Sequence, residues 1–205
     1  MNEPVVSFGP PRAERADAAR NRQHLLATAR QMLADQGASA LTMDALAEQA
    51  GLGKGTVFRR FGSRAGIFQA LLDDDERAFQ EQVLSGPPPL GPGAPPLDRL
   101  IAYGQARTGF LLGHREIARN SLDGSQPIPA GSSSPLSRLH IRALLSQLEL
   151  GPADLDVLAM QLTAALDAPL LLYVSTDAEP AALDRVARGW QDLVTRVARP
   201  VPRAP

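Results

Sequence analysis

Apolar residues recur at three- and four-residue intervals along most of the chain, the repeat of an amphipathic helix, and strand-type alternation is scarce. Met43, Leu46, Ala47 and Ala50 share one face of a short helix over Thr42–Ala50. Val57 and Phe61, four apart, turn a second short helix toward the core. Ile67, Leu71, Leu72 and Phe79 predict a longer helix from Arg64 to Leu84. Gly86–Pro96 holds six prolines and cannot be helical, so it is a linker or long loop. Further helices are expected over Leu97–Gly113, His114–Asn120, Ser137–Leu150, Ala153–Thr176 and Pro180–Ala198. Pro169 should kink or split the fourth of these. Leu122–Pro135, rich in Gly, Ser and Pro, is expected to be mobile, and the tail from Pro200 should fray. The pattern is all-α.

The segment Gly51-Leu-Gly-Lys-Gly-Thr-Val-Phe-Arg-Arg-Phe61 carries the most information. Thr42 can cap the helix before it by accepting a backbone N–H, although Ala45 leaves no reciprocal capping box. Gly51 can adopt the left-handed conformation that ends that helix, and Gly53 can cap the next. With Val57 and Phe61 inward, Lys54, Thr56, Phe58, Arg59 and Arg60 point mostly outward. Helix, glycine turn, then a short basic-aromatic helix is the plan of a helix-turn-helix, whose second helix enters the DNA major groove. A bland helical hairpin would show the same apolar spacing without so many glycines and arginines in one short helix.

Leu25–Phe68 resembles the N-terminal domain of the TetR family of transcriptional repressors. Leu25–Leu33 with Gly37 is similar to the family's first helix. Leu41–Met43 and Leu46–Gly51 resemble its second, Gly53–Phe61 its recognition helix, and Ser63–Phe68 the start of its fourth. The family usually has Ser at Gly53, Tyr at Phe58, His at Arg60 and Lys at Arg64. The resemblance implies a three-helix DNA-binding domain joined to a C-terminal helical bundle for ligand binding and dimerisation. It places Lys54, Gly55, Thr56 and Arg59 near base edges, with Thr42, Phe58, Arg60 and Arg64 positioning the backbone. Asp44, in the first turn of its helix, favours the helix dipole and repels phosphate. The expected division is a disordered arm over 1–20, the DNA-binding domain over 21–66, the regulatory and dimerisation domain over 67–199, and a disordered tail over 200–205.

Charge fits this plan. The formal net charge is −1, but residues 1–64 carry nine Lys/Arg against six Asp/Glu, and the remainder twelve against sixteen. A positive end faces phosphate and the body is acidic. There are no cysteines, so there is no disulfide or thiolate chemistry. No segment resembles a signal peptide or a membrane span, and the expected location is cytoplasmic. An enzyme is disfavoured: the three histidines are scattered, and no Glu-x-x-His pair or phosphate loop is present. No metal or cofactor is expected. Asp73–Glu76 is expected to be a solvated acidic face, because successive helical residues fan around the axis.

The last two helices carry broad apolar surfaces. Leu162, Leu166, Val186, Trp190 and Leu193 are candidates for a dimer interface, which the family builds from its two C-terminal helices; completing one chain's own core is the alternative. A homodimer would read an inverted repeat in a double-stranded DNA operator. Tyr103, Arg107 and Phe110 recur along one helical stripe with His114. With His140 and Tyr173 they are candidates to orient a small-molecule effector, since a few polar groups in an apolar cavity do this. The implied function is a sequence-specific transcriptional regulator, a repressor released by a ligand. The alternative is a helical protein-binding or architectural DNA-binding dimer without such control.

Overall fold

The computed structural model describes residues 12–121, 135–173 and 180–199, whose regular elements are helices with no strand among them. In order they form α1 (Arg12–Gln36), a 3-10 turn (Ala38–Ala40), α2 (Met43–Gln49), α3 (Lys54–Phe61), α4 (Arg64–Ser85), α5 (Pro96–Gly113), α6 (Arg115–Ser121), α7 (Pro135–Leu145), α8 (Leu155–Tyr173) and α9 (Pro180–Val197).

The boundaries differ from the apolar pattern where polar chemistry decides them. α1 begins at Arg12, so residues 12–20 are helical rather than part of a disordered arm. Four alanines with Glu and Arg make Arg12–Arg20 a strong helix former, and Arg20 pairs with Asp17 one turn away. α8 begins at Leu155 because Asp154 Oδ1 accepts the N–H groups of Asp156 and Val157, each at 3.1 Å. α7 stops at Leu145, short of Leu150. α8 runs unbroken past Pro169. The expectations for residues 1–11, 122–134 and 200–205 lie outside the described residues.

The chain forms two compact units, Met1–Ala70 and Leu71–Pro205, and the division falls inside α4. In the first, Leu25, Leu26, Ala29 and Met32 of α1 are buried with Leu41, Leu46, Val57, Phe61, Ile67 and Phe68. His24 Nε2 bonds the Ala50 carbonyl at 2.9 Å and ties α1 to the end of α2. In the second, α5 packs against α7, α8 and α9, and α7 against α8. Its core gathers Phe79, Val83, Leu100, Tyr103, Ile141, Leu144, Leu162, Leu166, Trp190 and Val194.

This core corrects the expected dimer surface. Trp190, Leu162 and Leu166 are 4%, 3% and 2% exposed within a single chain. The Trp190 indole N–H donates to the Leu100 carbonyl at 3.0 Å. Its ring lies where Gly104 leaves room: a Cβ there would sit 1.9 Å from Trp190 Nε1. Val186 is half-buried, and of the five candidates only Leu193 is exposed. Apolar faces on neighbouring helices have covered one another first.

Candidate nucleic-acid interface and helical-body cavity

The turn in the first unit is built as its residues require. Thr42 is extended, and its Oγ1 accepts the Ala45 N–H at 3.1 Å, so α2 starts there. Gly51 takes φ +66°, the left-handed region that L side chains avoid, and the chain reverses. Gly53 caps α3 through its backbone, accepting from the Thr56 N–H at 2.8 Å. Gly62, at φ +71°, closes α3 by donating to Phe58 O at 2.8 Å.

α3 buries Val57 and Phe61 and presents the rest. Lys54, Gly55, Phe58, Arg59 and Arg60 are exposed, Thr56 is half-buried, and the Phe58 ring is 60% exposed without intramolecular need. Gly53 and Gly55 have negative φ and nothing within 4 Å of the place a Cβ would occupy. Nothing in the fold therefore demands glycine at either position. A polar cleft of about 410 Å³ lies beside α3, lined by Asp17, Asn21, Thr56, Arg59 and Arg60.

Three charged groups near α3 already have partners. Lys54 Nζ meets Asp44 Oδ2 at 2.8 Å, with both side chains in solvent. Asp44 thus neutralises one of the cations that would face phosphate, a pairing the sequence did not reveal because the turn brings residues ten apart together. Arg60 donates to the Ala18 carbonyl of α1 at 2.9 Å. Arg64 donates through Nε to Leu41 O at 2.8 Å and through Nη2 to Ala38 O at 2.7 Å, with its guanidinium 4.8 Å from the Phe68 ring centroid. The residue expected to position a phosphate holds the segment before α2 to α4.

The second unit holds a half-open cavity of about 250 Å³ between α4, α5 and α7, with Leu84, Leu136, Leu139 and Ala143 exposed on its walls. Of the five candidates for a ligand, Tyr103 and His140 line it; Arg107 and Phe110 are not among its walls, and the Tyr173 side chain lies outside the described residues. Arg107 is 1% exposed, 2.5 Å from Glu76 Oε2, and its guanidinium lies 5.7 Å and 5.2 Å from the Phe79 and Phe110 rings. Its charge is committed to the core. The acidic run of α4 is correspondingly not a plain solvated face. Glu76 holds Arg107, Asp75 meets His114 Nε2 at 3.1 Å, and Asp74 meets Arg77 at 3.1 Å.

Most polar groups at the cavity are matched to one another, with His140 the exception. The Tyr103 hydroxyl donates to Ser137 Oγ at 2.7 Å; burial raises its pKa, against the lowering effect of that bond. Gln80 Nε2 donates to Glu76 Oε1 at 3.1 Å. Burial, with nearby Arg99, lowers His140 to about 4, so its ring is neutral at ordinary pH; its Nε2 is shut from solvent without a hydrogen-bond partner. Glu76, Phe79, Gln80, Val83, Ser137, Leu139 and Ala143 were missed as lining residues. Their spacing, one turn apart on α4 and again on α7, was legible; which two faces would meet was not. Among the described residues, no group of three His, Asp or Glu could hold a metal ion. No described helix is long and apolar enough to cross a membrane.

Residues 25–71 match the family of bacterial regulatory proteins, tetR family. Among curated proteins none matches the chain by sequence. Among solved structures it is similar to a TetR-family transcriptional regulator from Pectobacterium atrosepticum, at 19% identity and TM-score 0.71, over 91% of this chain and 99% of that one. It is similar to a TetR-like transcriptional regulator from Rhodococcus sp. RHA1, at 23% identity and TM-score 0.55, over 92% and 97%. It is also similar to NalD, the secondary repressor of the MexAB-OprM multidrug efflux pump in Pseudomonas aeruginosa, at 17% identity and TM-score 0.52, over 89% and 97%. At these identities the likeness is one of fold.

Proposed function

We propose that this chain, which carries the TetR-family DNA-binding domain over residues 25–71, is a transcriptional regulator that binds an inverted-repeat operator as a homodimer and releases it when a small molecule enters the second unit. The observation that carries the DNA reading is the outer surface of α3. Glycine in a helix interior weakens it by about 0.5–1 kcal/mol relative to alanine. Gly55 bears that loss with free space around it, beside an exposed Phe58 and Arg59. A close approach to a base pair supplies the missing reason, and Arg59 has the planar fork that guanine accepts.

The reading requires a dimer, because one short recognition helix contacts too little DNA for specific binding. With Trp190 and Leu166 internal, the surface available for a partner is a different one. Val157, Met160, Ala164 and Ala168 run exposed along α8 at three- and four-residue spacing, and Gly189 and Leu193 are exposed on α9. The action of NalD as a repressor favours repression here, in line with the shared fold.

Selection of bound sequences from a random duplex pool tests the DNA reading. Recovery of an inverted repeat is expected, and a pool that shows no enrichment would overturn it. Light scattering tests the assembly. Met160→Arg and Leu193→Arg should give folded monomers, and a wild-type monomer at micromolar concentration would refute the dimer.

A further inference from the structure

We infer that the cavity between α4, α5 and α7 takes an uncharged molecule of about one ring, held by apolar burial, with at most one hydroxyl or carbonyl group. This rests on the reading of the chain as a ligand-released regulator, and it specifies the chemical class of that ligand.

Size comes first. The cavity, about 250 Å³, exceeds the roughly 150 Å³ that accommodates benzene and falls short of the roughly 300 Å³ at which drug-sized sites begin. Its walls are chiefly apolar, with Phe79, Val83, Leu139 and Ala143 among them. Leu84, Leu136 and Leu139 are exposed along its open side, so apolar contact continues outward from the cavity.

Charge excludes more than size does. Among the described residues no Lys or Arg lines the cavity, so a carboxylate or phosphate would lose water there without gaining a cation. Glu76, the one anionic wall residue among those described, already accepts from Arg107 at 2.5 Å and from Gln80 at 3.1 Å. An ammonium ligand would have to compete with that buried pair and leave Arg107 uncompensated. His140 is kept neutral by burial and Arg99 and offers no charge in either direction. A polar handle can meet the Tyr103–Ser137 hydroxyl pair, which offers the Ser137 O–H as donor and lone pairs as acceptors beyond the 2.7 Å bond between its members, and the neutral His140 ring, whose Nε2 has no partner.

Four probes on one benzyl scaffold decide the matter by calorimetry on the full-length wild-type protein: benzyl alcohol, benzoate, benzylammonium and 9-anthracenemethanol. Benzyl alcohol should bind, with each charged probe and the three-ring alcohol at least about tenfold weaker, a difference of about 1.4 kcal/mol. Ala143 is exposed at the cavity wall, so Ala143→Phe should fold normally, fill the space and lower benzyl alcohol affinity by about tenfold or more. Equal binding of benzoate or benzylammonium, benzyl alcohol affinity unaffected by Ala143→Phe, or no binding of any probe would each overturn the inference. An operator titration of the same preparation separates the two claims. Operator bound with the cavity unresponsive leaves the regulator reading standing and removes this one; a responsive cavity without DNA binding does the reverse.

Discussion

Replacing Arg64 by alanine should unfold the first unit more readily without changing the number of phosphates it contacts. The substitution removes two hydrogen bonds, to Leu41 O at 2.8 Å and Ala38 O at 2.7 Å, and a cation–ring contact at 4.8 Å. Hydrogen bonds from a charged donor contribute about 1.5–3 kcal/mol each, and an accessible cation over a ring about 0.5–1 kcal/mol. Arg64 is half-buried and the freed carbonyls can partly rehydrate, so the expected loss is about 2–4 kcal/mol. Arg64→Lys keeps the charge but not the two-pronged geometry, and should lose about half as much. Urea unfolding followed by far-ultraviolet circular dichroism measures the loss. Operator binding across a salt series measures the phosphate count, because each neutralised phosphate adds about 0.9 to the slope of log affinity against log salt. The reasoning fails if the unfolding midpoint is unchanged and the slope falls by about one unit. That outcome would make Arg64 a phosphate ligand.

The other expectations follow from contacts in both units. Gly55→Ala should raise stability by about 0.5–1 kcal/mol and weaken operator binding; a melt and a titration check the pair, and undiminished binding would show that α3 does not approach the duplex at Gly55. Asp44→Asn should release Lys54, tighten non-operator DNA binding and steepen its salt slope by about one unit; loss of operator discrimination instead would make Asp44 a base contact. Glu76→Gln should cost about 3–5 kcal/mol, because Arg107 would be left buried without its carboxylate, whereas Glu76→Gln with Arg107→Leu should recover much of this in urea titrations; a double variant no better than the single would refute the charge argument. Burial, with Arg107 opposing and Glu76 adding, raises Asp167 from 3.8 to about 6. The folded chain then holds an extra proton between about pH 4 and 6, so this group's contribution is fullest below about pH 4 and is lost as pH rises through 6. Asp167→Asn should stabilise at about pH 7 with the gain vanishing below about pH 4, as unfolding across that range would report.

What the sequence disclosed was whatever is settled within two helical turns. The Thr42 cap, the left-handed Gly51 and the inward Val57 and Phe61 were all readable, because each depends on neighbours at fixed spacing. Ile67, Leu71, Leu72 and Phe79 were read as inward for the same reason, and all are buried. The bonds of Arg64 to Leu41 O and Ala38 O were not readable, because those carbonyls lie more than twenty residues back along the chain. Trp190 was assigned to a partner chain because an apolar face records that it will be covered, not by what. Its cover, the notch at Gly104, is eighty-six residues away, and a glycine leaves no apolar signal to read. Arg107 looked like a ligand's counter-charge, since nothing local marks Glu76, thirty-one positions earlier, as its partner.

The chain has one tryptophan, and that indole is seated in the second unit with its N–H on Leu100 O. Excited at wavelengths that its two tyrosines do not absorb, the protein therefore emits from this one indole, which reports the packing around α9, while its far-ultraviolet dichroism sums over every helix. Followed together through one denaturant titration, the two signals show whether the units lose structure in one step or two: coincident transitions mean a single cooperative block, and separated ones assign the optical transition to the second unit without any label. The ring wedged against a bare glycine is thus a ready-made gauge of how far the two halves of the chain depend on each other.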